Sequence, residues 1–315
     1  MKNTFNVFLS CLFCLILSDG SNAEPKDAEQ KSTPSPAIAK AGQDRKAGER
    51  MVLEVKDMEY AFRWCPPGTF KMGSPRGESG RFRNETQHQV TLTQGFWMLE
   101  TQVTRGMWKN IMGNDPSYNA MLDEDADYYK REENRSKQAV NHVSWDDCQE
   151  FIKKMNDLLK NTKDAPEGFT FSLPTEAQWE YACRAGTTTA FHTGDRLRKD
   201  QANFGNAGQK IVGSYSANAW GLYDMHGIVL EWCYDRSYDD SGWPWPADYP
   251  NGDATDPTWP SQPPQDGHRD LRVLRGGTYS APSWCCRSAF RGSSHSQEQG
   301  HGPIFGVRLS LVRSE

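Results

Sequence analysis

Three observations predict a single α+β domain with little regular secondary structure and long ordered loops. Helical spacing with capping residues occurs in only three segments. The remaining apolar runs are short and bounded by turn residues, as strands are. Beyond Gly186 the chain turns to Gly, Asn, Asp, Pro and Trp with few regular periods, which reads as loop.

In order along the chain, residues 1–23 read as a secretory signal. Lys2 is the basic start, Val7 to Leu17 the apolar run, and Ser21-Asn22-Ala23 a small-residue cleavage site. The protein is therefore expected to be exported, whether periplasmic, surface-held or secreted. Cys11 behind Ser10 leaves lipoprotein anchoring as an alternative. Residues 24–50 are rich in Lys, Glu, Ala, Pro and Ser and hold no aromatic residue. Such a segment cannot bury enough apolar area to offset its entropy, so it reads as a disordered tether. The domain is expected to fill 51–315.

Met51 to Leu53, Tyr60 to Phe62 and the run from Trp64 through Pro66-Pro67-Gly68 to Phe70 read as strands and a turn. Thr104 caps a short helix with Met107, Trp108, Ile111 and Met112 on one face and Gly113 as its stop. Ser144 opens the longest helix, with Asp147 completing a capping box and Trp145, Cys148, Phe151, Ile152, Met155, Leu158 and Leu159 in one stripe. Thr175, with Gln178 three residues on, opens a third helix ending at Gly186. After it, only Leu271 to Leu274 and Phe305 to Val312 look like strands, and Tyr238 to His268 reads as a long surface excursion.

Bulk properties narrow the function. The 315 residues are only 36% hydrophobic, but eleven Trp make up buried area. A net charge of −5 gives no electrostatic footprint for nucleic acid. No stretch of about 20 apolar residues is present, so no transmembrane span is expected. Six of the eight cysteines lie past the signal, without metal-ligand spacing. In an oxidising compartment Cys65, Cys148, Cys183 and Cys233 leave a disulfide open. Asn84 and Asn134 head glycosylation tripeptides, relevant only in a host that uses them.

Six motifs together resemble the sulfatase-modifying-factor domain, the fold of formylglycine-generating enzyme. They are WCPPGTFKMGS (64–74), FWMLETQVT (96–104), NHVSWDDC (141–148), LPTEAQWEYACRAG (173–186), GLYDMHGIVLEW (221–232) and RVLRGGTY…CRSAFR…FGVR (272–308). The resemblance implies a C-type-lectin-like fold. It also implies, for the enzyme, a copper site of two cysteines shortly after Arg-Gly-Gly, since soft thiolates select copper. The first of those positions is Ala281 here, and the second falls on Cys286 or near Ser283, so Cys286 alone remains a catalytic candidate, with copper as its cofactor. Adjacent cysteines diverge, so Cys285 is a poor substitute. The family's iron-dependent sulfoxide synthases need a histidine triad that this chain lacks. The resemblance further implies a calcium site at Asp224, Gly227, Val229 and Glu231, where hard oxygen donors suit the ion. Asn203 resembles one ligand of a second calcium site.

The family also contains ligand-binding proteins, some diversified by retroelements that mutate adenines in the last segment of the gene. Ser280, Ala281, Pro282, Cys285, Phe290, Gly292, Ser293, Ser294, His295, Gly300, His301 and Gly302 fall where those variable positions would lie. Each type is reachable from an AAY codon by changing adenines alone, whereas Gln297, Glu298 and Gln299 are not. The expected function is an exported or surface binding protein for an unknown protein or carbohydrate, displaying a surface at about 280–302. The alternative is the copper oxidase, or an accessory sulfatase-modifying factor. Trp284 and Phe290 are candidate anchors, with Trp284 assigned to the core and Phe290 to the surface.

Overall fold

The computed structural model describes residues 45–117, 131–206, 208–237, 252–258, 271–299 and 304–314. The leader, most of the tether and most of the Tyr238–His268 excursion lie outside these residues. Strand β1 (Arg50–Val55) returns as β2 (Met58–Cys65) through Lys56 and Asp57, both at positive φ. Two positive-φ residues are what a tight hairpin needs to match strand twist. The packed chain begins ahead of residue 51, because Arg45 stacks over Trp64 and Trp97 at 5.7 and 5.0 Å. Strand β3 (Gly68–Met72) pairs antiparallel with β4 (His88–Leu92), and β5 (Phe96–Leu99) joins β2.

All three helices form where caps and spacing put them. In α1 (Arg105–Met112) Thr104 caps the start and Gly113, at φ 82°, the end. A four-residue turn, α2 (Glu132–Arg135), precedes α3 (Trp145–Leu159), whose Ser144–Asp147 capping box is intact. Phe151 of α3 stacks on Trp108 of α1 with centroids 4.9 Å apart and planes at 3°, a contact of about 0.5–1.5 kcal/mol beyond area burial. Strand β6 (Phe169–Ser172) leads to α4 (Glu176–Arg184), whose left-handed cap is Ala185, one residue before Gly186.

The last third is more regular than its composition predicts. Strand β7 (Leu230–Ser237) is eight residues long, and a short β8 (Ala254–Thr255) pairs parallel with β4. Strand β9 (Leu271–Arg275) forms as expected, then a 3-10 turn spans Ser283–Cys286. Gly292 to His295, expected as flexible loop, is strand β10, antiparallel to β9. The single strand expected over Phe305 to Val312 divides into β11 (Phe305–Gly306) and β12 (Ser310–Arg313). These belong to different sheets, because the chain crosses between them at Val307, Arg308 and Leu309.

Three sheets result, ordered β1-β2-β5-β12-β6, β10-β9-β7-β11 and β3-β4-β8. One core cluster joins the α3 stripe to Tyr60, Phe62, Trp97, Phe171 and Leu311. A second packs α4 through Trp179, Ala182 and Cys183 against Met72, Val90 and Val273. The disulfide left open by the sequence does not form: all six described cysteines are free. Asn84 and Asn134 are each 6% exposed, so neither tripeptide presents an accessible acceptor. No helix among the described residues is long and apolar enough to cross a membrane.

Candidate functional site

The stretch from Arg275 to Arg308 is held from beneath by its arginines. Arg275 pairs with Glu180 and lies 3.5 Å from Glu176, both on α4. Arg291 forms a two-pronged pair with Glu176, 2.7 Å on each side. Arg287 reaches Glu85 at 2.6 Å and Glu78 at 2.6 Å, and donates to the Gly80 carbonyl at 2.6 Å. Arg308 grips both oxygens of Glu231 at 2.8 Å. All four arginines are buried, as are Glu85, Glu176, Glu180 and Glu231. Forked guanidinium–carboxylate bonds meet the geometry such burial demands, and losing one partner leaves an uncompensated buried charge.

These glutamates were not singled out from sequence. Their partners lie 77 to 202 residues away, beyond any local pattern. One signal existed: Glu176, Glu180 and Arg184 recur every fourth residue on a helix, α4, that also carries Ala177, Trp179, Tyr181, Ala182 and Cys183. Charge repeated along a buried helix face implies partners elsewhere.

Above the arginines, Gly277 (φ 75°) allows the 3-10 turn to close. A Cβ there would stand 2.5 Å from the Cys286 Sγ and 2.8 Å from the Cys285 carbonyl, so no larger residue fits. Cys286 is sealed, and burial raises its thiol above the ordinary value, with the neighbouring Cys285 adding to this. Burial also pushes Cys285 up to about 12, against the pull of Arg287. Both stay protonated near neutral pH, whereas nucleophilic attack needs the thiolate. Beneath the turn, buried His226 meets the Cys286 carbonyl through Nδ1 at 2.7 Å and accepts the His192 amide on Nε2 at 3.0 Å. Burial lowers its pKa to about 3, so it stays neutral.

On the outer side, Pro282, Trp284 and His295 are exposed, and Ser280, Ala281, Cys285 and Ser294 are half-buried. The two aromatic anchors exchange roles. Trp284 is 40% exposed and Phe290 only 4%, the reverse of the expectation. Phe290 turns inward against Phe82 at 5.9 Å and supports Trp284 at 6.0 Å. Gly292 and Ser293 are also buried, because β10 pairs with β9 there. Phe290, Gly292 and Ser293 thus offer a ligand no surface in this arrangement. Gly300, His301 and Gly302 lie outside the described residues.

The calcium quartet fits the ion poorly. Both Glu231 oxygens are taken by Arg308, with Gln102 Nε2 at 2.8 Å on one and Trp179 Nε1 at 2.6 Å on the other. The Gly227 carbonyl accepts the Val229 amide at 2.9 Å. Asp224 accepts the Gly213 amide at 2.5 Å through Oδ2, while its buried Oδ1 has no partner. Burial raises its pKa to about 6, with the Glu231 charge adding to the shift. Asn203 also keeps an unpartnered Oδ1. Among the described residues, no group of three or more His, Cys, Asp or Glu is placed to hold a metal.

Comparison with known proteins agrees with this architecture. The sequence pattern of the family described as "Sulfatase-modifying factor enzyme 1-like domain" matches residues 51–312. A serine/threonine-protein kinase, pkn1 of Chlamydia pneumoniae, is 38% identical over 120 residues. That match covers 38% of this chain and 18% of the kinase, so the chain spans under a fifth of that relative. The formylglycine-generating enzyme of Streptomyces coelicolor is 30% identical over 194 residues, covering 56% of this chain and 53% of the enzyme. Among solved structures, Treponema denticola variable protein 1 superposes with a TM-score of 0.66 at 23% identity. It covers 83% of this chain and 98% of its own, a likeness of fold.

Proposed function

The chain belongs to the sulfatase-modifying factor enzyme 1-like family, and we propose that it is an exported ligand-binding member rather than an oxidase. The surface around 280–302 is its recognition face. The observation that carries this reading is Ala281: a methyl group stands where the family's copper pair needs its leading thiolate. The burial of Cys286, which leaves its thiol no open face, supports the same conclusion. Arginine pairs fix the underside while the outer positions vary without disturbing the fold, which is what a recognition surface requires.

The oxidase reading draws its support from the 30% identity to the Streptomyces coelicolor enzyme. The two readings separate in one assay. The purified chain is incubated with copper, oxygen and a peptide containing Cys-x-Pro-x-Arg, and the peptide mass is followed. No aldehyde product is expected; turnover would establish the oxidase. Retroelement diversification has its own check in the genome. It requires a near-copy of the 3′ end beside a reverse transcriptase, differing only at adenines, and without that copy the surface is an undiversified one.

A further inference from the structure

Among the described residues, the large apolar side chains left exposed are Val52 on β1, Tyr234 on β7 and Trp284 on the 3-10 turn. Trp284 differs from the others in its mounting. Phe82 packs against it at 5.4 Å and Phe290 at 6.0 Å. A Cβ on Gly80 would stand 2.8 Å from the Trp284 Cβ, so the 75–83 loop runs against the root of this side chain. Arg287 ties the two together, donating to the Trp284 carbonyl at 3.1 Å and the Gly80 carbonyl at 2.6 Å. An exposed ring on so fixed a base loses little freedom on contact, which is the property of a binding anchor.

The same loop has a charge at odds with the chain. In a protein of net charge −5, Pro75 to Arg83 holds three arginines and one glutamate. That glutamate, Glu78, is engaged by Arg287. Arg76 and Arg83 are exposed, and neither forms an ion pair among the described residues. The residues between them include Gly77, Ser79 and Gly80, all exposed and small, which leave the approach to Trp284 open.

We propose that Trp284 and the 75–83 loop form a site for an acidic saccharide, one bearing uronate or sulfate groups. The proposal rests on the ligand-binding reading above and names its ligand class. A pyranose lays its C–H face on a flat aromatic ring and needs polar surroundings, and Trp284 supplies the ring. Guanidinium forks match carboxylate and sulfate, and Arg76 and Arg83 are available for them. A peptide ligand would call for further apolar sockets beside the anchor, and the other exposed apolar residues sit on other elements.

Isothermal titration with a heparin-derived octasaccharide and an oligogalacturonate, against neutral maltooctaose, tests the proposal. The acidic oligomers bind with an affinity that falls as salt rises, and the neutral one binds at least about tenfold more weakly. Trp284→Ala weakens acidic binding about tenfold or more, and Trp284→Phe recovers part of it. Gly77→Glu is a second probe. Nothing lies within 4 Å of a Cβ at Gly77, so the fold is undisturbed while the new carboxylate repels the anion and weakens binding several-fold. Equal affinity for acidic and neutral oligomers, or an unchanged Kd in both Trp284→Ala and Gly77→Glu, overturns the proposal. Capture of acidic peptides from a display library, lost in Trp284→Ala, would also overturn it while leaving the ligand-binding reading standing.

Discussion

Arg287 and Trp284 sit three residues apart in one turn, yet Arg287 is sealed against Glu85 while Trp284 is 40% exposed. The whole stretch divides the same way. Arg275, Arg287, Arg291 and Arg308 point inward, each to a glutamate contributed by another element. Ser280, Ala281 and Pro282 lie on the outer side, held by backbone bonds and by Thr278, while Trp284 rests on Phe82 and Phe290 with its ring partly exposed. The difference teaches that the placement of this segment depends on charge and very little on its outer side chains. The outer side chains are therefore free to take on recognition.

The contrast breaks first at a fully buried pair. Glu231→Gln leaves the Arg308 guanidinium buried without its counter-charge, a loss of about 3–5 kcal/mol, read as a lowered urea midpoint. A midpoint close to the parent's would mean that the pairs do not hold the stretch.

A smaller effect concerns Asp224. Its folded pKa, about 6 against an ordinary 3.8, means that folding favours the protonated acid. The stabilisation is complete below about pH 4 and is lost as pH rises through 6, amounting to about 2–3 kcal/mol by pH 7.5. Asp224→Asn should match the parent at pH 4 and exceed it at pH 7.5 in thermal unfolding. Added calcium should leave both proteins unchanged, since Arg308 already neutralises Glu231. A calcium-dependent rise in the parent alone would instead make Asp224 a ligand. The smallest effect belongs to the outer face, where Ser280→Ala and Pro282→Ala shift stability by no more than about 0.5 kcal/mol. A larger loss at either would erase the distinction between the two sides.

What the sequence disclosed follows the range of the forces involved. Helices α1, α3 and α4 were legible because capping boxes and 3.6-residue stripes are local. Strand β10 was not, since Gly292-Ser293-Ser294 has no strand propensity and pairs only because β9 is present. Phe305 to Val312 looked like one strand because Phe305, Val307, Leu309 and Leu311 alternate with Gly306, Arg308 and Ser310, and nothing local marks the crossing at Arg308. Six motifs identified the family, but the exposure of Trp284 over Phe290 depends on Phe82, some 200 residues earlier in the chain.

Strand β12 lies inside its sheet, and β5 meets β6 only through it. Residues 310–313 thus join portions made much earlier, so this sheet cannot close until translation has passed them. A chain stopped ahead of residue 310 would leave two raw strand edges open to aggregation. Any change to codons just upstream must therefore preserve the reading phase through residue 313.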